Sequence, residues 1–376
     1  MIGKSVQALA ERYDPTVIDP PLEARVRLKA GDEAYDALLE PGSMRIVPAG
    51  DVPDAVISGP PSAWRHAANG SGGLAALGGG GLRMRRNLHV GAGFLAATAG
   101  DRGPRRLRLE TVETPHGPIA TAQAGAGAPL LAIHGLGGTK ASFLPTLALM
   151  RDTHRVIAVD LPGFGDSVKP LRAPYDAAYF SGVMTAVLDS LGVERAHVVG
   201  NSMGGRIALE LALTASDRVE RLVLLSPAMA WLRPRRWSPV VRMLRPELTM
   251  VPMPVERLVR RMVPGGRDGW AAAGIDEFLR AFSTARGRYA FHAVLRNIYL
   301  DRPQGDGGLW SRLAGMTHES LFVWGKHDRL VPIGFMRHVE RTFPAARHLE
   351  LDCGHVPQVE LPVETHDAIR AFLIRG

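Results

Sequence analysis

Apolar and basic residues alternate along Ala24-Arg25-Val26-Arg27-Leu28-Lys29, the period of a strand with one face on a core and the other in water. Gly31-Asp32 supplies a turn before a second extended run at Tyr35 to Leu39, and Gly42 precedes a third at Met44 to Val47. Ala55 to Gly59 continues the meander, and Pro60 to Ala68 reads as a short helix with proline at its start. A glycine-rich stretch, Gly70 to Gly81, then leads to a further strand over Leu82 to Val90 and a short apolar stretch at Phe94 to Ala97. A small α+β domain is expected over residues 1–100.

Asp101 to Arg106 is charged and contains Gly-Pro, so a linker is placed at residues 101–111. Beyond it the texture changes. Apolar runs at Ile119 to Gln123, Leu130 to Ile133, Val156 to Val159, His197 to Val199, Leu222 to Leu225, Leu321 to Trp324 and His348 to Leu351 alternate with helical stretches. The clearest of these helices are Ala178 to Leu191, Arg206 to Thr214 and Val363 to Leu373. Nearly continuous apolar strands separated by helices predict a mostly parallel, doubly wound sheet covered on both faces, over residues 112–376. The interval from Leu225 to Leu321 is too long for one crossover and carries Trp231, Trp237, Leu244, Leu248, Met250, Phe278, Phe282, Tyr289, Phe291 and Tyr299. It reads as a helical insertion over the strand ends, at about residues 228–312.

At 376 residues and 46% hydrophobic content the chain can build two cores, and no apolar stretch approaches the ~20 residues of a membrane-spanning helix. The first residues meet charge early and do not read as a secretory signal, and the single cysteine, Cys353, cannot form an internal disulfide. Both fit a cytoplasmic location. A net charge of +8 raises the question of nucleic acid, but no nucleic-acid motif or aromatic-interleaved basic stripe accompanies it, so a solvated arginine-rich surface is expected. Gly78 to Gly81 lacks the Lys-Ser/Thr of a phosphate loop.

The chemistry centres on Val198-Val199-Gly200-Asn201-Ser202-Met203-Gly204-Gly205, where an apolar strand end meets the start of a helix. A serine on so sharp a turn is backbone-strained and exposes its Oγ above the sheet, and its neighbours two positions away must be glycine because the backbones nearly touch. The Met203 amide, at the positive end of the helix, can stabilise an oxyanion. His134-Gly135-Leu136-Gly137-Gly138 follows an earlier strand, and its flexible loop can bring the Leu136 amide to the same place. His134 itself is expected to fix that loop, and Asp160 and Asp166 belong to a turn-rich segment without evident catalytic duty.

Asp328 lies just beyond the strand ending at Trp324, where a carboxylate can orient an imidazole; Asp301, Asp306 and Asp352 are the alternatives. His355, on the loop beyond the last strand, can reach across the sheet end to act as base. The order is therefore Ser202, Asp328, His355. With His134-Gly135, Asp160 to Ser167, Gly200 to Gly205, the Asp328 loop and Gly354-His355, the chain resembles the α/β-hydrolase superfamily over about residues 112–376. A serine at 202 separates it from superfamily branches with an aspartate nucleophile. Gly200 to Gly205 also resembles the meta-cleavage carbon-carbon hydrolases, although Gly-Leu-Gly-Gly after His134 departs from that branch. The order Val26-Arg27-Leu28, Gly31-Asp32-Glu33, Asp54 to Pro60 and Leu82 to Leu88 resembles a sterol-carrier-protein-like lipid-binding domain over residues 17–99, which implies a bound lipid.

The leading expectation is a serine esterase of lipophilic or acyl substrates, with neither metal nor organic cofactor. The alternatives are carbon-carbon cleavage of a vinylogous diketo acid, with a lid arginine on the substrate carboxylate, and a lipid carrier with a vestigial hydrolase unit. Arg233, Arg235, Arg236, Arg242 and Arg245, interleaved with Trp231 and Trp237, could also rest on an anionic membrane surface; a solvated lid face is the plainer expectation.

Overall fold

In a computed structural model, which describes residues 2–18, 23–69, 81–229, 245, 269–299 and 301–374, the alternating runs of the first unit pair into one sheet. A helix, α1 (Gly3–Ala10), precedes β1 (Ala24–Ala30), β2 (Glu33–Glu40) and β3 (Ser43–Pro48). These strands pair antiparallel through turns at Gly31 and Gly42, whose φ of 61° and 83° a side chain would resist. β4 (Ala55–Ser58) then lies parallel to β1, α2 (Pro61–Ala68) follows it, and β5 (Arg83–Arg86) closes the order β3-β2-β1-β4-β5. Val26 and Leu28 of β1 and Ala37 and Leu39 of β2 share a buried cluster with Trp64 and Phe94, and the Trp64 indole donates to the Lys29 carbonyl at 2.9 Å.

Two features depart from the expected pattern. Leu88 to Val90 is not strand but the start of α3 (Leu88–Ala97): Arg86, at φ 69°, turns the chain out of the sheet, and the Asn87 side chain accepts from the Val90 amide at 3.2 Å as a helix cap. The apolar run at Phe94 to Ala97 is the end of that helix. Helix α1, which the sequence reading did not place, buries Val6 and Leu9 one helical turn apart.

The second sheet has eight strands in the order β13-β12-β11-β10-β8-β9-β7-β6. β6 (Arg108–Val112) and β7 (Ile119–Ala124) are antiparallel at one edge, so the end of the stretch expected as linker, from Arg108, is sheet. β8 (Ala128–Ile133), β9 (His154–Val159), β10 (Ala196–Asn201), β11 (Val219–Leu225), β12 (Ser320–Gly325) and β13 (Arg347–Leu351) are parallel. Helices α4 (Leu144–Met150), α5 (Ala177–Ser190) and α6 (Met203–Thr214) cover the strands, and α7 (Gly269–Ser283) and α8 (Ala285–Asn297) belong to the insertion. The chain runs from β8 outward to β9, then returns to the other side of β8 with β10. That reversal is where open α/β sheets hold their ligands.

Trp231, Trp237, Leu244, Leu248, Met250 and four of the five arginines of the basic run lie outside the described residues; Arg245 is exposed. No described helix is long and apolar enough to cross a membrane. One buried apolar cluster joins both sheets, running from Ile2, Trp64 and Phe94 through Leu107, Leu109 and Ala122 to Phe372.

The last helix, α9 (Pro362–Ile374), is fastened to α4 by His366, which is fully buried. Its Nδ1–H donates to the Pro362 carbonyl at 2.5 Å, and its Nε2 accepts from the Thr146 hydroxyl at 2.7 Å. Burial pushes its pKa from 6.5 down to about 4. The folded protein therefore binds fewer protons than the unfolded chain between these values, so the stability from His366 is complete above 6.5 and is lost as pH falls toward 4. The melting temperature of the unaltered protein should fall more steeply over that window than that of His366→Gln. Equal slopes would count against this origin.

Candidate active site

Ser202 stands between β10 and α6 at φ 54° and ψ −115°, a conformation that non-glycine residues keep only where their surroundings enforce it. The enforcement is on both sides: its amide donates to the Leu225 carbonyl at 2.9 Å, and its carbonyl accepts from the Ala228 amide at 2.9 Å. A Cβ on Gly200 would strike the Gly204 carbonyl, and one on Gly204 the Ile133 carbonyl, which explains both glycines. Met203 opens α6, so its amide is among the helix's first donors, which have no carbonyl within the helix.

β8 lies beside β10, and its loop therefore reaches the serine. A Cβ on Gly135 would come within 3.2 Å of Ser202 Cβ, so the residue before Leu136 packs against the serine. His134, fully buried, holds this loop: its Nε2 accepts from the Leu161 amide at 3.0 Å, and its Nδ1–H donates to the Gly135 carbonyl at 2.7 Å. Burial lowers its pKa and keeps it neutral. Asp160 and Asp166 are structural too. The buried Lys140 ammonium donates to Asp160 at 2.6 Å and to Asp166 at 2.8 Å, tying the loop after β8 to the loop after β9. Despite the burial of Lys140, this pairing raises its pKa, and the ammonium depresses that of Asp166.

Asp328 and His355 meet directly, with Nδ1 to Oδ2 at 2.7 Å. The second carboxylate oxygen, Oδ1, accepts from the amides of Leu330 and Val331 at 2.8 and 2.9 Å, which fixes the orientation of the group. The other three aspartates are placed elsewhere: Asp301 on Arg206 at 2.7 Å, Asp352 on His327 at 2.8 Å, and Asp306 in an exposed turn. Asn201, next to the serine, donates to the His355 carbonyl at 3.1 Å and so draws the histidine loop to the elbow. Cys353 beside it is buried, and burial together with the carboxylates of Glu360, Asp328 and Asp352 pushes its thiol up to about 12. It is a packed, neutral side chain.

The chain matches the model of the alpha/beta hydrolase fold family over residues 128–249. It is 31% identical over 262 residues to a 2-hydroxymuconate semialdehyde hydrolase of Pseudomonas sp. (strain CF600), covering 66% of this chain and 88% of that one. The chain belongs to the α/β-hydrolase fold family. The chain is also 32% identical over 258 residues to the dihydrolipoyllysine-residue acetyltransferase component of an acetoin cleaving system from Cupriavidus necator, matching 64% of this chain. It spans only 63% of that relative's length. Among solved structures, a membrane phospholipase A, described as a bacterial virulence factor, superposes with a TM-score of 0.54 at 28% identity, over 76% of this chain and 94% of that chain.

Three residues around the site escaped the sequence reading as participants. Tyr299, just beyond α8, lies near the Ser202 side chain; burial pushes its phenol up to about 12, outweighing the downward pull of Ser202, so it stays protonated. Glu360 accepts from the amides of Gly354 and Val356 at 2.7 and 2.9 Å and braces the loop on both sides of His355. Asn201 is the third. Glu360 follows the histidine closely, but the insertion's aromatic composition gave no sign that Tyr299, rather than its neighbours, would reach the serine.

Proposed function

We propose that the hydrolase is a serine esterase acting on lipophilic or acyl esters. The observation that carries this reading is the Asp328–His355 pair at 2.7 Å, held to a strained Ser202 through Asn201. In this mechanism His355 Nε2 takes the Ser202 proton as Oγ attacks the ester carbonyl, and the amides of Leu136 and Met203 receive the oxyanion. The same imidazole then protonates the departing alkoxide, and later activates the water that releases the acid. Tyr299, protonated and near Ser202, can hydrogen-bond the departing oxygen while His355 delivers its proton. Similarity to the membrane phospholipase A supports a lipid-like ester. The sterol-carrier-like resemblance of residues 17–99 supports the same substrate class, with the first unit as the lipid-holding part.

Chromogenic esters of increasing acyl length test the proposal. Turnover is expected to rise with chain length. Well-folded protein with no turnover at any length would remove the esterase reading. The likeness to the 2-hydroxymuconate semialdehyde hydrolase favours a second reading, carbon-carbon cleavage of a vinylogous diketo acid. Spectral turnover of such a compound with esters left intact would decide for it.

A further inference from the structure

The first unit reaches the insertion through a run of paired polar groups. Arg85 of β5 donates from Nε to Asp276 Oδ2 at 2.7 Å and from Nη2 to Oδ1 at 3.2 Å, a two-pronged pair, and the Arg86 amide adds a third bond to Oδ2 at 2.8 Å. The next residue of α7, Glu277, is buried and accepts from the Leu88 amide at 2.8 Å, capping the start of α3 with a carboxylate. Its other oxygen accepts from Arg280 at 3.1 Å and Thr139 at 3.4 Å, so Glu277 spans the first unit, the insertion and the loop beyond β8.

Phe278 comes next. Its ring lies on Gly137, where a Cβ would meet Cδ2 at 2.5 Å, and Gly137, at φ 75°, follows Leu136 directly. The ring is held in turn by Phe282, stacked at 5.3 Å, and by the edge of Phe291 at 5.4 Å. Three consecutive residues of one helix therefore connect the small sheet to the loop that presents the Leu136 amide. Only glycine gives the ring this seat, so the position of α7 is transmitted to the loop by contact. The ion pair is separated by 191 residues in sequence, with 9% of the Asp276 and 35% of the Arg85 side chain exposed, so it is partly shielded from solvent.

We infer that the first unit is a working part of the hydrolase site: Arg85 and the Leu88 amide are positioning groups that hold α7, and Phe278 on α7 sets the loop carrying the Leu136 oxyanion donor. The inference rests on the serine-hydrolase reading above but not on the choice of ester over carbon-carbon bond. It gives the first unit a role apart from any lipid it holds.

The test uses the full chain and a fluorophosphonate probe, whose phosphorus is attacked by Ser202 Oγ with loss of fluoride while His355 accepts the proton. That reaction needs the serine, the base and the oxyanion donors but no particular substrate. The measured quantity is the labelling rate constant, which does not depend on how much protein is folded, taken well below each variant's melting temperature. Arg85→Glu and Phe278→Ala are each expected to slow labelling by about 10- to 100-fold, the effect of small misplacements at a reacting centre. Arg85→Lys, which keeps the charge but not the fork, should retain more of the rate than Arg85→Glu. The double variant Arg85→Glu, Phe278→Ala should be no slower than the worse single variant, because both act through one contact path. Wild-type rates in either single variant, or fully multiplicative losses in the double, would overturn the inference while leaving the serine-hydrolase reading intact. Failure of the unaltered, folded protein to label would overturn both.

Discussion

Replacing Ser202 by alanine is expected to lower kcat by about 10⁶-fold, since nucleophile, base and acid act as a unit and losing the nucleophile forfeits nearly all of their joint effect. The fold should survive. What holds the elbow is the backbone, through the Ser202 amide on the Leu225 carbonyl and the Ala228 amide on the Ser202 carbonyl, and alanine keeps both. The strain at φ 54° remains as well, because alanine has the same Cβ. Melting temperature should therefore change little while turnover disappears. Residual activity above about a thousandth of the unaltered rate would mean that another group supplies the nucleophile.

Asp328→Asn should lower kcat by about 10⁴-fold with little change in KM. The local geometry makes the reason specific. Oδ1 of Asp328 accepts from two backbone amides, Leu330 and Val331, so the oxygen of an asparagine is drawn to that position and its NH2 is left facing His355 Nδ1. A donor there makes Nδ1 the acceptor and puts the imidazole proton on Nε2, where the base should have its lone pair. The shape is kept and the tautomer is wrong. Kinetics of the folded variant at neutral pH check this; a fall of tenfold or less would place the orienting carboxylate elsewhere.

Legibility differed by the range of the interaction that made each feature. The parallel strands were readable because burial on both faces leaves an unbroken apolar run in the chain, as in Leu130 to Ile133 and Leu222 to Leu225, each fully buried. The positions of Ser202, Asp328 and His355 at strand ends were readable because their loops are marked by glycine. The residues at Leu88 to Val90 misled because their apolar pattern suits either element. The Asn87 cap and the turn at Arg86 decided the outcome. β6 was hidden by its charged flank, and its pairing partner β7 lies beyond a turn. Tyr299 near Ser202, and Arg85 on Asp276, bring together points far apart in the chain, and no local period records such a meeting.

The apolar cluster shared by the two sheets bears on how such a chain can change through descent. A recombination breakpoint between α3 and β6 would strip Phe94 and Leu95 from Leu109 and Ala122 and leave apolar surface on both products. Cut there, neither half is a ready cassette. The first unit can be exchanged between lineages only together with matching positions on β6, β7 and α7, so the two sheets should be inherited as one piece and drift in concert.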